Sequence, residues 1–99
     1  MAIKILKLVN GEDIISEIEN YEITLNNPAR LMMFPTESGG MGVGLVPWCP
    51  YSDKEKFKID PVHVITEVEE DDVPEELRNE YIEKFGSGLQ IPPKKSIIT

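Results

Sequence analysis

Ile3-Lys4-Ile5-Leu6-Lys7-Leu8-Val9-Asn10-Gly11-Glu12-Asp13-Ile14-Ile15-Ser16-Glu17-Ile18-Glu19 is the stretch from which the fold can be read. Its first seven residues are dense in β-branched and aliphatic side chains. Asn10-Gly11 follows, and both residues tolerate positive φ, a strong signal for a tight turn. Beyond it Ile14, Ser16 and Ile18 fall on one face of an extended chain and Asp13, Glu17 and Glu19 on the other, the alternation of a half-buried strand. The stretch therefore predicts a β-hairpin. Ile5 and Leu6 break the alternation in the first strand. That predicts either a bulge or a sheet covered on both faces, the second implying a subunit contact.

Downstream, Ile23-Thr24-Leu25 opens a third strand, Asn26-Asn27-Pro28 bends or interrupts it, and residues 29–34 continue it. Pro28 and Pro35 have no backbone donor and belong at an edge, a bulge or a strand end. Residues 36–42 read as a glycine-rich hairpin loop, 43–48 as a fourth strand, 50–55 as a turn, and 57–69 as a fifth strand interrupted at Pro61. Five strands at hairpin spacing in so short a length suggest a small, strongly bent barrel. One helix follows. Asp72 or Val73 caps it, Pro74 fits its first turn, Glu75 and Glu76 complement its dipole, and Gly86 stops it. Leu77, Tyr81 and Phe85 form an apolar stripe, and Glu80 precedes Lys84 with favourable i,i+4 polarity. The domain reading is a barrel over 1–72, a helix over 73–86 packed on or beside it, and an extended or flexible tail over 87–99.

The chain has 99 residues, with 18 Asp plus Glu against 10 Lys plus Arg, a net charge of −8. Its length suits one domain that buries only about 60 to 65% of its unfolded surface, so subunit association would add materially to stability. Residues 61–86 hold nine acids against two bases, whereas 87–99 hold only Lys94 and Lys95. A phosphate backbone is repelled by such a face, which argues against binding driven mainly by counterion release. A single cysteine and a single histidine rule out disulfide scaffolds and histidine-rich metal sites. The N-terminal residues lack a signal-peptide pattern, and no apolar run approaches the roughly 20 residues of a membrane span, which predicts a soluble, intracellular protein.

Few residues suggest chemistry. Cys49 and His63 are the one conceivable nucleophile and base, but Trp48-Cys49-Pro50 reads as an apolar setting for a buried, inert thiol. Glu69-Glu70-Asp71-Asp72 offers hard oxygen ligands without the spaced loop that wraps a cation. Gly39, Gly40, Gly42 and Gly44 lack the Lys-Ser/Thr and the helix of a phosphate loop, so a hairpin loop is favoured. Trp48 and Tyr51 flank the Pro50 turn, where exposed rings would stack on bases but a core edge or a subunit contact is the commoner use. His63 is read first as a satisfied turn or core residue.

The pattern Leu6-x-Leu8-Val9-Asn10-Gly11-x-x-Ile14-x-Ser16-x-Ile18 resembles the first signature of Sm and Sm-like proteins, with Ser16 at the small-residue bend. Asn20-Tyr21-Glu22-Ile23-Thr24-Leu25 is similar to the next part of that motif. The second signature would fall on Ile59-Asp60-Pro61-Val62-His63-Val64. There Asp60 replaces the usual Arg, Pro61 the Gly and His63 the Asn, and Thr24 replaces the base-reading Asn of the first motif. Together with Asn27-Pro28-Ala29-Arg30-Leu31, Gly44-Leu45-Val46-Pro47-Trp48 and the acidic helix, residues 2–86 resemble a family of small proteins from marine bacteriophages that infect cyanobacteria.

The resemblance implies a mostly β fold, a five-stranded strongly bent Sm-like (SH3-like) barrel with one C-terminal helix, working in the host bacterial cytoplasm. It also implies a closed homo-oligomeric ring, in which the strand at 43–48 of one copy pairs with that at 64–68 of the next. The function expected on this basis is non-enzymatic and cofactor-free: binding of single-stranded RNA or DNA in nucleic-acid processing during infection, with no membrane partner. Asn20, Tyr21, Thr24 and His63 would lie around the pore, with Arg30 and Lys58 as phosphate contacts. The alternative is a ring-shaped scaffold that takes a protein partner through the acidic helix or the Lys94-Lys95 tail.

Overall fold

The computed structural model describes residues 2–19 and 23–85. They form six strands and one helix: β1 (Ala2–Leu8), β2 (Asp13–Glu19), β3 (Ile23–Pro35), β4 (Met41–Pro47), β5 (Lys56–Ile59), β6 (Val64–Val68) and α1 (Glu75–Phe85). Single 3-10 turns lie at Pro61–His63 and Glu70–Asp72. The sheet is antiparallel in the order β4-β3-β2-β1-β6, with β5 also on β3. The fold is therefore mostly β with one helix after the sheet. The expected fourth strand begins two residues earlier, and the expected fifth is split in two by the Pro61 turn. The sheet is not closed: β4 and β6 stand at its two ends.

The β1–β2 hairpin forms where expected, but only Gly11 takes positive φ, at 91°. Asn10 serves the turn through its side chain, whose carbonyl accepts from the Glu12 backbone N–H at 3.0 Å. Between Ile15 and Glu17 the β2–β3 register shifts, leaving Ser16 as an extra residue, and its hydroxyl lies 3.0 Å from the carbonyls of both Glu17 and Asn26. Such a bulge bends the strand and explains why all of Ile14 to Ile18 are buried, including Glu17, which simple alternation assigns to solvent.

Opposite the bulge, β3 kinks at Asn27, whose φ is +53°, a left-handed conformation that Asn tolerates better than most residues. The kink divides the labour of this 13-residue strand. Residues 23–26 pair with β5 and residues 29–35 with β4. Pro28 has no N–H to place, while its carbonyl accepts from Trp48 at 3.1 Å. The loop at 36–40 is the expected hairpin turn, closed by Thr36 N–H donating to the Gly40 carbonyl.

Two cores result. Leu6, Leu8, Ile14, Ile18 and Leu25, with Ile23, Trp48, Phe57, Ile59 and Val64, fill the concave side. On the other face α1 lays Tyr81, Leu77, Ile82 and Phe85 over Ile3, Ile15, Ala29 and Leu45. The adjacent Ile5 and Leu6 thus lie in different cores of the same chain, so no bulge between them and no subunit contact is needed to cover both faces. The bulge of β1 falls instead between Lys7 and Leu8, against β6. The helix begins at Glu75 rather than at a cap on Asp72 or Val73, and the Pro74 carbonyl accepts from Arg78 N–H at 2.9 Å.

Tyr81 locks helix to sheet. It is fully buried, its hydroxyl donates toward the carbonyls of Asn26 and Asn27, each at 2.9 Å, and it accepts from the Glu17 backbone N–H at 3.1 Å. Those are backbone groups that the β2 bulge and the β3 kink remove from the ladder, and removing the hydroxyl that serves them would cost roughly 1–3 kcal/mol. Burial pushes the phenol up to about 12.

Candidate nucleic-acid interface and the open sheet edges

The Asn10-Gly11 turn delivers Glu12 to a position where three side chains meet it. Its Oε1 accepts from Asn10 Nδ2 at 3.0 Å and from Trp48 Nε1 at 3.2 Å, and its Oε2 lies 3.4 Å from Arg30 Nε. The Asn10 hydrogen bond, then that of Trp48, then the Arg30 charge hold this carboxyl below its usual range. Trp48 is further fixed by an edge-on ring contact with Phe57 at 5.8 Å between centroids.

Beside this cluster lies a cleft of about 250 Å³ walled by Leu8, Val9, Asn10, Trp48, Ile59 and His63. Typical ligand pockets hold roughly 300–1,000 Å³, so this one has room for a single ring system. The short turn at 61–63 presents His63. Asp60 caps it, its Oδ1 accepting from Val62 N–H at 2.9 Å, and Val9 N–H donates to the His63 carbonyl at 2.9 Å. The backbone of His63 is satisfied while its side chain is exposed on the cleft. The cleft therefore combines an indole, an imidazole and an amide around an apolar floor, which suits stacking of a flat heterocycle and hydrogen bonding to its edge.

The residues expected to bind nucleic acid separate into groups. Asn20 and Tyr21 lie outside the described residues. Thr24 and Lys58 are cross-strand partners on β3 and β5, but Thr24 is only 8% exposed. Arg30 is tied to Glu12, so Arg30 and His63 converge from two sides on the Asn10–Glu12–Trp48 cluster. Sequence reading passed over Glu12 and Asn10 as site residues. The signal was their place at the Asn-Gly turn, but nothing local connects residues 12, 30 and 48 before strand register is known.

Other candidates resolve differently. Cys49 is exposed rather than buried as expected, because the chain has left β4 at Pro47 and Trp48 takes the inward place. Tyr51, expected at a core edge or a contact, is 98% exposed. In the acidic run Glu69 pairs with Lys4, and Glu70 faces the Ile3 N–H and Arg78. No group of metal-ligating side chains occurs among the described residues.

Phosphate-seeking charge is already occupied. Lys4, Lys7, Arg30, Lys56, Arg78 and Lys84 each face a carboxylate within 4 Å, Lys54 lies 5.7 Å over the Phe57 ring, and Lys58 also has a partner.

The two sheet ends are the other conspicuous surface. On the distal β3–β4 hairpin Met33, Met41 and Val43 continue the helix-covered apolar face beyond the helix, Met33 being 67% exposed. On the opposite face Phe34 spreads its ring across Gly42 and Gly44, and a Cβ at Gly42 would sit 2.7 Å from it. Met32, Phe34 and Val46 are exposed there. At the other end β6 carries Ile65, which is 61% exposed.

No helix among the described residues is long and apolar enough to cross a membrane. Compared with known families and curated proteins, the chain matches no family pattern and no curated protein.

Proposed function

We propose that the protein is an Sm-like homo-oligomer, a closed ring whose subunits join β4 of one copy to β6 of the next, and that the ring binds single-stranded RNA. The observation that carries this reading is the strand order, which among the described residues leaves β4 and β6 as edges at opposite ends of a single sheet, flanked by exposed Val43, Val46 and Ile65. An unpaired apolar edge invites another strand, and a head-to-tail join repeated about an axis closes into a cycle. The Asn10-Gly11 hairpin and the bend of β2 at Ser16 support the Sm-like assignment.

Base binding is assigned to the Trp48–His63 cleft. Because the neighbouring cations are paired, affinity comes mainly from stacking and little from counterion release, so it is weak and tolerant of salt. Trp48 is the sole tryptophan of the chain, and its emission reports occupancy directly. Titration with short A-rich and U-rich RNA quenches this emission to a similar extent at low and high salt, and His63→Ala weakens the effect. Absence of quenching and of any change in RNA anisotropy at tens of micromolar protein contradicts RNA binding.

Six of the eight described Lys and Arg side chains face a carboxylate, which favours a second reading, in which the ring is a scaffold for a protein partner. Charge reversal at Glu75 and Glu76 then disturbs partner capture, and His63→Ala leaves it unchanged.

A further inference from the structure

A groove of about 580 Å³ runs between β4 and the start of α1, lined by Met41, Gly42, Val43, Pro74, Glu75, Glu76, Leu77 and Glu80. Its floor is apolar: Met41, Val43 and Leu77 extend the helix-covered core out to solvent. Its rim holds three carboxylates, of which Glu80 is paired with Lys84 at 3.0 Å. Glu75 and Glu76 have no ion pair among the described residues. An apolar trough with an acidic rim fits an extended segment that carries aliphatic side chains and lysines together.

The chain itself contains such a segment. Leu89-Gln90-Ile91-Pro92-Pro93-Lys94-Lys95-Ser96-Ile97-Ile98 has four aliphatic residues, two lysines and no acid. We propose that this segment docks in the groove of its own subunit, running back along α1 with Ile91 on Met41, Val43 and Leu77 and with Lys94 and Lys95 at the Glu75–Glu76 rim. Reach is sufficient. The 11 residues of α1 rise about 1.5 Å each, about 16 Å in all. Extended chain covers about 3.3 Å per residue, so about five residues beyond Phe85 return to the groove and residues 90–95 lie along it. Pro92-Pro93 presets an extended backbone, which lowers the entropy lost on docking. Tethering also favours the subunit's own segment over one from another molecule.

The docking holds whether or not the ring forms, and one experiment separates the two. In the full chain with Cys49→Ser, a nitroxide is attached through Ser96→Cys. The labelled, ¹⁵N-enriched protein is mixed with excess unlabelled protein, so that only effects within one chain are seen. The amide signals of Met41, Val43 and Leu77 broaden in the mixture. Lys94→Glu with Lys95→Glu abolishes the broadening, and adding Glu75→Lys with Glu76→Lys restores it. Unchanged groove signals overturn the proposal, as does broadening that disappears in the mixture, which assigns the groove to a neighbour's segment. The tail reversal lies outside the packed fold and remains decisive even where the helix variant is unstable.

Discussion

The region around Tyr81 and the distal β3–β4 hairpin are built from the same kind of sequence, apolar strand residues next to a glycine or an Asn-Pro break, and they end in opposite states. Around Tyr81 the irregularities are closed within the chain: the bulge at Ser16 and the kink at Asn27 face each other, and one phenol serves the backbone groups they release. In the hairpin the ladder from Ala29 to Pro35 is regular, yet Met32, Met33, Phe34, Met41, Val43 and Val46 remain exposed on both faces. The first region is complete in one subunit. The second leaves apolar side chains open to solvent on both faces, the surface that the proposed ring would cover.

The largest expected effect falls on the closed region. Tyr81→Ala costs about 3–5 kcal/mol, as loss of a large buried aromatic generally does, and Tyr81→Phe costs about 1–3 kcal/mol for the stranded backbone groups alone. Urea unfolding measures both. Equal losses for the two variants would mean that the hydroxyl, and not the ring, accounts for the whole contribution.

Alkaline pH perturbs the same group. Burial pushes the folded phenol up to about 12 from its ordinary 10.0, so between these values the folded state retains a proton that the unfolded chain has released. The stability it contributes is fully present below about 10 and fades as pH rises through about 12. The wild-type unfolding midpoint should therefore fall over that window more steeply than that of Tyr81→Phe, and parallel curves would remove Tyr81 as the cause.

A smaller effect is expected at the cleft. Glu12→Gln weakens the partly exposed pairing with Arg30 and costs about 0.2–1 kcal/mol. The folded Glu12 carboxyl ionises below its unfolded value, so its contribution is present above the unfolded value and is lost as pH falls through the folded one. Acid titration followed by Trp48 emission compares the two proteins, and the wild type alone should show this acid-dependent change.

The smallest effect on the fold is expected in the open region, where Met32→Ser with Val46→Ser changes the stability of the isolated subunit by less than about 0.5 kcal/mol per site. The same pair should weaken self-association strongly. A large stability loss with unchanged association would reverse the contrast between the two regions.

Much of the sheet was legible because its signals are local: the Asn10-Gly11 turn, the glycine loop at 36–42, the Pro61 break and the Leu77–Tyr81–Phe85 stripe each act within a few residues. The bulge at Ser16 was anticipated only as the small-residue bend that the resemblance implied, not from a local signal. It depends on Asn26 and Tyr81, distant in sequence, and it buries Glu17 against the two-residue alternation. The cleft was legible only in part. His63 and Trp48 stood out by residue type, whereas Glu12, which fixes Trp48 and occupies Arg30, is an ordinary turn acid until register brings the three together. Arg30 looked available as a phosphate contact because its pairing with Glu12, eighteen residues away, leaves no trace in the order of residues.

Native mass spectrometry of the intact 99-residue chain, side by side with Ile65→Lys, tests the assembly most directly. The wild type should give one defined multiple of the 11.2 kDa subunit, and the variant should shift to the single subunit with its fold preserved. A wild-type protein that is folded and monomeric at micromolar concentration, or a variant that assembles as the wild type does, would contradict the proposed ring.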